Sequence, residues 1–219
     1  MARDDLRPPL EPDLRLDDLE AADGAALVAR ADVAGVSVSG VDLADRDLTG
    51  IQLSEVALAD VRADGAVLRA AVLSEVTIER LDAPVLDAAR SRWRTVVVSD
   101  SRVGSLAAFD ADLDVVRFER CRIGFANLRG AALTDVALVD CTIDELDVSG
   151  ATIARLAVPG SSIRALSVRD ATLAHVDLSG AELDDVDDIA SLRGATLASD
   201  QLVALRGRVA AALGLRLVD

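Results

Sequence analysis

The residues of this chain that could carry chemistry are one histidine, His175, two cysteines, Cys121 and Cys141, and 38 carboxylates. A nucleophilic site would need a serine or cysteine beside a histidine, and a metal centre would need ligands at set spacings. His175 has neither in its surroundings and falls at an outward corner of the pattern described below, where a surface role is expected. General acid and base work needs carboxylates converging in a cleft that shifts their pKa values. Here the carboxylates are spread along the whole chain, and no glycine loop of the phosphate-cradling kind accompanies them. The expectation is a protein that is not an enzyme, with no cofactor and no metal.

What positions these residues is a beat of five. From Val28 to Leu183 every fifth residue is apolar, 32 positions in succession. At 51% hydrophobic composition, chance would give such a run with odds of roughly one in a billion, so the period is a property of the fold. The positions two residues earlier form a second inward beat, in which Arg46 alone is charged. Five residues advance an α-helix by about 140° and alternate faces of a flat strand, so neither regular element keeps this set on one side. A chain that turns a corner every five residues does, stacking both beats into one core.

The length of a coil follows from charge. Outward charges 20 residues apart form 13 opposite-sign pairs and 2 like-sign pairs, Glu55 with Glu75 and Arg102 with Arg122. Vertical neighbours prefer opposite signs, as cross-strand pairs do, so four pentads make one coil. The ladder Asp60, Arg80, Asp100, Arg120, Asp140 is one example. Another is the block Arg90, Arg92, Arg94 lying on Asp110, Asp112, Asp114.

The pentads Ala126-Asn127-Leu128-Arg129-Gly130, Val41-Asp42-Leu43-Ala44-Asp45 and Val176-Asp177-Leu178-Ser179-Gly180 resemble the pentapeptide-repeat family. The resemblance covers about three quarters of the chain. It implies an all-β, right-handed quadrilateral β-helix of about eight coils with a C-terminal α-helix. Several members are rods that mimic duplex DNA, bind DNA gyrase and protect it from quinolones, and some dimerise through a C-terminal helix. This chain departs from the family in having mostly Leu at the central beat, and it has no insertion between residues 28 and 183.

The core is expected to be narrow and aliphatic, with Trp93 and Phe118 accommodated beside Ala83, Ala88 and Ala108. Cys121 and Cys141 fall in an inward column with Ser101 and Ser161 and are expected to be free thiols, although stacked neighbours could reach disulfide distance. Gly35, Gly40, Gly50, Gly130, Gly150 and Gly180 share one corner of the pentad and are expected to be turn residues.

Three parts are expected: a cap at 1–25 holding Pro8, Pro9 and Pro12 and covering the first coil, a β-helix at 26–188, and a C-terminal cap at 189–219. A helix over 200–213 is predicted, with Ser199 as N-cap and Gly214 as its stop. Its stripe of Leu202, Leu205, Val209 and Leu213, aided by Leu215, Leu217 and Val218, serves either a homodimer or closure of the last coil. No apolar span or secretion leader is evident, so a cytoplasmic location away from membranes is expected.

Charge points to function. All 23 basic residues are arginine and the net charge is −15, which disfavours direct nucleic-acid binding. One side collects Asp45, Asp47, Asp64, Asp87, Asp144, Glu145, Asp147, Asp184, Asp185 and Asp187 against Arg164 alone, a net −9. Two readings stand: an acidic rod that mimics DNA toward a protein partner such as gyrase, or acidity that serves solubility. Pro84, Val85, Gly104, Gly124 and Phe125 interrupt this side. Phe109 and Phe125 point outward by phase, either to anchor a partner of an interaction scaffold or to shield the neighbouring backbone.

Overall fold

A computed structural model describes residues 6–216. The repeat forms a four-sided parallel β-solenoid. A ten-stranded sheet and a seven-stranded sheet are each built from strands one coil apart in sequence. The register is 20 residues throughout the repeat: Asp32 pairs with Gln52, Val72 with Arg92, Asp112 with Ala132, and Arg102 with Arg122. All these pairings are parallel. Two partial strands, Glu20–Ala22 at one end and Ala195–Thr196 at the other, extend the larger sheet beyond the eight that keep this register. The stack therefore makes about nine turns.

Both beats point inward. From Val33 to Leu183 the central positions are buried apart from half-buried Leu68 and Leu173, and the second beat is buried from Ile51 to Leu166. The first pentad departs from the expected phase: Val28 is exposed and Leu27 takes the core position instead. Residues 24 to 28 belong to an end cap with its own turn geometry, so the sequence beat begins one pentad before the structural one. Trp93 and Phe118 meet in the core with ring centroids 6.0 Å apart. The indole N–H donates to Ser91 Oγ at 2.8 Å, which satisfies its polar atom.

Corners lie at every fifth residue, and three of the four per coil place that residue in the left-handed region. Gly35, Gly40, Gly50, Gly130 and Gly150 do so, but so do Glu55, Asp60, Thr95, Asp100, Val115, Asp135 and Arg155 among others. Gly180, expected as a turn residue of the same kind, does not take positive φ. At the fourth corner only Asp45 and Gly65 have positive φ. From residue 82 onward the chain passes this corner within continuous six-residue strands such as Asp82–Asp87 and Arg102–Ala107.

The small residues in the cysteine column have a shared task. Ser101 Oγ donates to Ser99 O, Ser161 Oγ to Leu138 O, and Cys121 and Cys141 Sγ approach carbonyls at the same turns. Both cysteines are buried free thiols. Their mutual hydrogen bond and burial push the Cys141 thiol well above the ordinary cysteine range.

Most of the N-terminal segment does not sit over the first coil; only its end, from Glu20, does. It runs lengthwise along the rod: Arg7 N–H lies 3.4 Å from His175 Nδ1, Leu10 N–H donates to Asp135 Oδ1 at 2.9 Å, and Glu11 pairs with Arg117 at 2.8 Å. Glu20–Ala22 then pairs with Val36–Val38 of the first coil. Pro12, Leu14 and Leu16 are half-buried while Asp13, Arg15 and Asp17 are exposed, the alternation of an extended chain lying on a surface. His175 is consequently half-buried beside this strap. The first coil is closed by the short strand Glu20–Ala22 together with Leu27 and Arg46, whose guanidinium donates to Gly24 O and Leu27 O.

At the other end the expected single helix divides at Leu205 into α1 (Ser199–Ala204) and α2 (Arg206–Ala212). Ala198, not Ser199, is the N-cap, and the Gln201 side chain accepts from its N–H at 2.7 Å. Gln201 also donates to Leu178 O and Ala181 O at 2.7 and 2.6 Å, fastening the helix to carbonyls of the last coil. Gly214, at φ +69°, ends α2 with Leu215 N–H reaching back to Ala210 O.

Candidate functional site

The charge ladders fix where each carboxylate stands. Asp60 and Arg80 meet at 2.6 Å, Asp100 and Arg120 at 2.7 Å, and Arg92 and Arg94 reach Asp112 and Asp114 at 3.7 Å each. Hydrogen bonds from Arg80 and Arg120 hold the Asp60 and Asp100 carboxyls below the usual carboxylate range. These pairs are exposed and set register more than stability.

On the acidic side the ten carboxylates separate into two kinds. Asp87 pairs with Arg69 at 2.6 Å, Asp144 with Arg164 at 3.4 Å, and Asp147 with Arg129 at 3.6 Å. Asp187 pairs with Arg169 at 3.5 Å, and Asp185 with Arg208 at 2.5 Å. Asp147 is moreover buried and accepts from Ser149 N–H. Four of these five arginines come from outward columns beside the acidic one or from the C-terminal cap, so counting charge one side at a time could not reveal them. Arg208 lies on α2, a part of the chain that the repeat pattern does not place.

Asp45, Asp47, Asp64, Glu145 and Asp184 form no ion pair among the described residues. The Asp47 carboxyl is held low by hydrogen bonds from Thr49, so it is anionic across the neutral range. The unpaired acids fall in two patches, one at the first two coils and one at the last coils. Five coils separate Asp45 from Glu145, about 24 Å at about 4.8 Å per coil.

Between the patches the side is short of side chains. A Cβ on Gly104 would come within 2.4 Å of Pro84 O, and one on Gly124 within 2.5 Å of Gly104 O, so the coils approach too closely there for any larger residue. Open grooves of about 580 and 280 Å³ result, lined by Pro84, Gly104 and Gly124 with Arg102 and Arg122 at the edge. Val85 is the exposed apolar residue of this stretch, at 51%. Phe125 is half-buried and stacks in register between Ser105 and Glu145. Phe109 is also half-buried and lies at the next corner, accepting from Arg90 N–H through its carbonyl. The two rings therefore stand on different sides and do not make one patch.

The helical stripe is likewise divided. Leu205 is buried against the last coil and Val209 is half-buried, whereas Leu202 and Leu213 are 52% and 67% exposed. Val203 and Leu215 join them as exposed apolar residues. Leu217 and Val218 lie outside the described residues.

Among the described residues no group of three or more His, Cys, Asp or Glu side chains is arranged to hold a metal ion. No helix among them is long and apolar enough to cross a membrane.

Comparison with known proteins places the fold. No family model matches the chain, and no curated protein matches it. Among solved structures, it is similar to a trypsin-treated variant of QnrB1, a plasmid-mediated fluoroquinolone resistance protein. The TM-score is 0.61 and the identity 18%, over 91% of this chain and 98% of that one. A second trypsin-treated QnrB1 variant superposes with a TM-score of 0.55 at 16% identity, with the same coverage. The chain thus has a pentapeptide-repeat-like β-solenoid fold.

Proposed function

We propose that this protein is a non-enzymatic, cytoplasmic rod whose acidic side stands in for duplex DNA and binds DNA gyrase or a related topoisomerase. The observation that carries the reading is the pair of unpaired carboxylate patches, Asp45, Asp47 and Asp64 at one end and Glu145 and Asp184 at the other. They lie on one side of the solenoid, five coils apart from Asp45 to Glu145. A groove built for a duplex offers cationic contacts along its length, and fixed carboxylates on a rigid scaffold meet them without ordering cost. The fold shared with QnrB1 supports the same direction.

The apolar end formed by Leu202, Val203, Leu213 and Leu215 fits a second copy of the chain, joining two rods end to end. Leu205, turned into its own last coil, belongs to closure of the solenoid.

The test is a gyrase supercoiling assay with and without a quinolone, comparing the protein with a charge-reversed variant, Asp45→Arg, Asp47→Arg, Asp64→Arg and Glu145→Arg. Inhibition or protection by the parent that is lost in the variant supports the reading. Equal effects of both proteins, or none at micromolar concentration, overturn it. An interaction scaffold that uses the stretch around Val85 and Phe125 would keep its partner after charge reversal and lose it after Val85→Asp.

A further inference from the structure

Nearly every contact in this fold joins a coil to the coil directly above or below it. A stack held only by nearest-neighbour contacts can fray or open from either end, because loss of one coil costs nothing to a distant one. The strap is the exception. Its partners are 106, 125 and 168 residues away in sequence, at Arg117, Asp135 and His175, while its other end is hydrogen-bonded into the first coil through Glu20–Ala22. From the coil of His175 to that of Val36 is seven coils, about 34 Å. The 13 residues from Arg7 to Glu20 can span about 45 Å when fully extended, so the segment reaches only if it stays extended. Pro8, Pro9 and Pro12 hold it so.

The surface beneath is adapted to the strap. Asp135 is the one aspartate of its corner column and is 2% exposed, bound by Arg155 through two hydrogen bonds and by the strap through Leu10 N–H. Two coils above, His175 receives the Arg7 main chain; one coil below, Arg117 receives Glu11. Ala137, beside Asp135, is buried where the equivalent Ala57 and Ala157 are only half-buried.

We propose that the strap is a lengthwise latch that couples the two ends of the solenoid, so that coils which would otherwise open one at a time open together. It also covers part of the side opposite the acidic one, which stays free of the strap.

Hydrogen exchange read residue by residue tests this, on the full chain and on the double variant Leu10→Pro, Glu11→Gln. The proline removes the N–H that Asp135 accepts and replaces a largely exposed side chain, in a segment already shaped by prolines, and the glutamine removes the charge facing Arg117. In the parent, the Leu10 amide should exchange at least tenfold more slowly than in a free peptide although the residue is 61% exposed. Amides of Val36, Val136 and Val176 should share one opening rate. In the variant, the outer coils should exchange at least tenfold faster than the central ones. A Leu10 amide that exchanges at the free-peptide rate, or a variant whose coils keep their common rate, overturns the latch.

Discussion

The carboxylate of Asp135 binds the Arg155 guanidinium one coil above it, Nε to Oδ1 at 2.5 Å and Nη2 to Oδ2 at 2.6 Å, and is buried by the strap that donates Leu10 N–H to it. Elsewhere in the ladders the same Asp and Arg pairing is open to water. Here it has been covered, which turns a register mark into a structural contact.

Removing this carboxylate leaves Arg155 and the Leu10 amide without an acceptor. Asp135→Ala is expected to cost about 3 kcal/mol, toward the lower end for a broken buried pair because Arg155 keeps some access to water. Thermal unfolding should fall by about 6–12 °C. Asp60→Ala in an exposed ladder pair should change the midpoint by no more than about 2 °C.

The same group gives a pH dependence of known sign. The Arg155 hydrogen bonds, aided by Leu10 N–H, hold the Asp135 carboxyl below its unfolded value. Its contribution is therefore complete above about pH 4 and is lost as pH falls through the lower folded value. Thermal midpoints measured from pH 6 to pH 2.5 should decline more steeply for the parent than for Asp135→Asn.

Close packing of coils at the gap in the acidic side makes Gly104 irreplaceable without movement. Gly104→Ala, whose Cβ would meet Pro84 O at 2.4 Å, is expected to destabilise by about 1–3 kcal/mol, read by urea denaturation. Gly35→Ala, where a Cβ meets nothing within 4 Å, carries only the cost of its positive φ, about 1 kcal/mol.

Left-handed corners occupied by β-branched residues are strained. Thr95, at φ +54°, is one. Thr95→Asn should raise stability by about 0.5–1 kcal/mol, a gain of a few degrees in thermal midpoint.

At the C-terminal cap, Gln201→Leu removes one of the two donors to Leu178 O, which keeps the Ala181 N–H, and leaves Ala181 O covered and without its donor. A loss of about 1–3 kcal/mol is expected, with faster exchange confined to the last coils. Leu202→Glu with Leu213→Glu touches only exposed positions. Light scattering should show a halved mass if the rods join end to end, with the thermal midpoint unchanged.

The sequence determined the solenoid because a period of five with two inward positions has only one way to be buried, and because charges 20 apart could be checked sign by sign. Asp60 over Arg80 and Trp93 beside small residues were legible for that reason. Local periodicity could not show where an unrepeated segment lies. Leu14 and Leu16 alternate with Asp13, Arg15 and Asp17, which is the mark of an extended chain on a surface, but no pattern in those residues points to Asp135 or His175. Nor could columns of charge reveal that Asp185 is neutralised by Arg208, or that Leu205 turns inward while Leu202 and Leu213 turn out. Those choices depend on contacts between residues that are remote in sequence, and only the packed ends of the stack decide them.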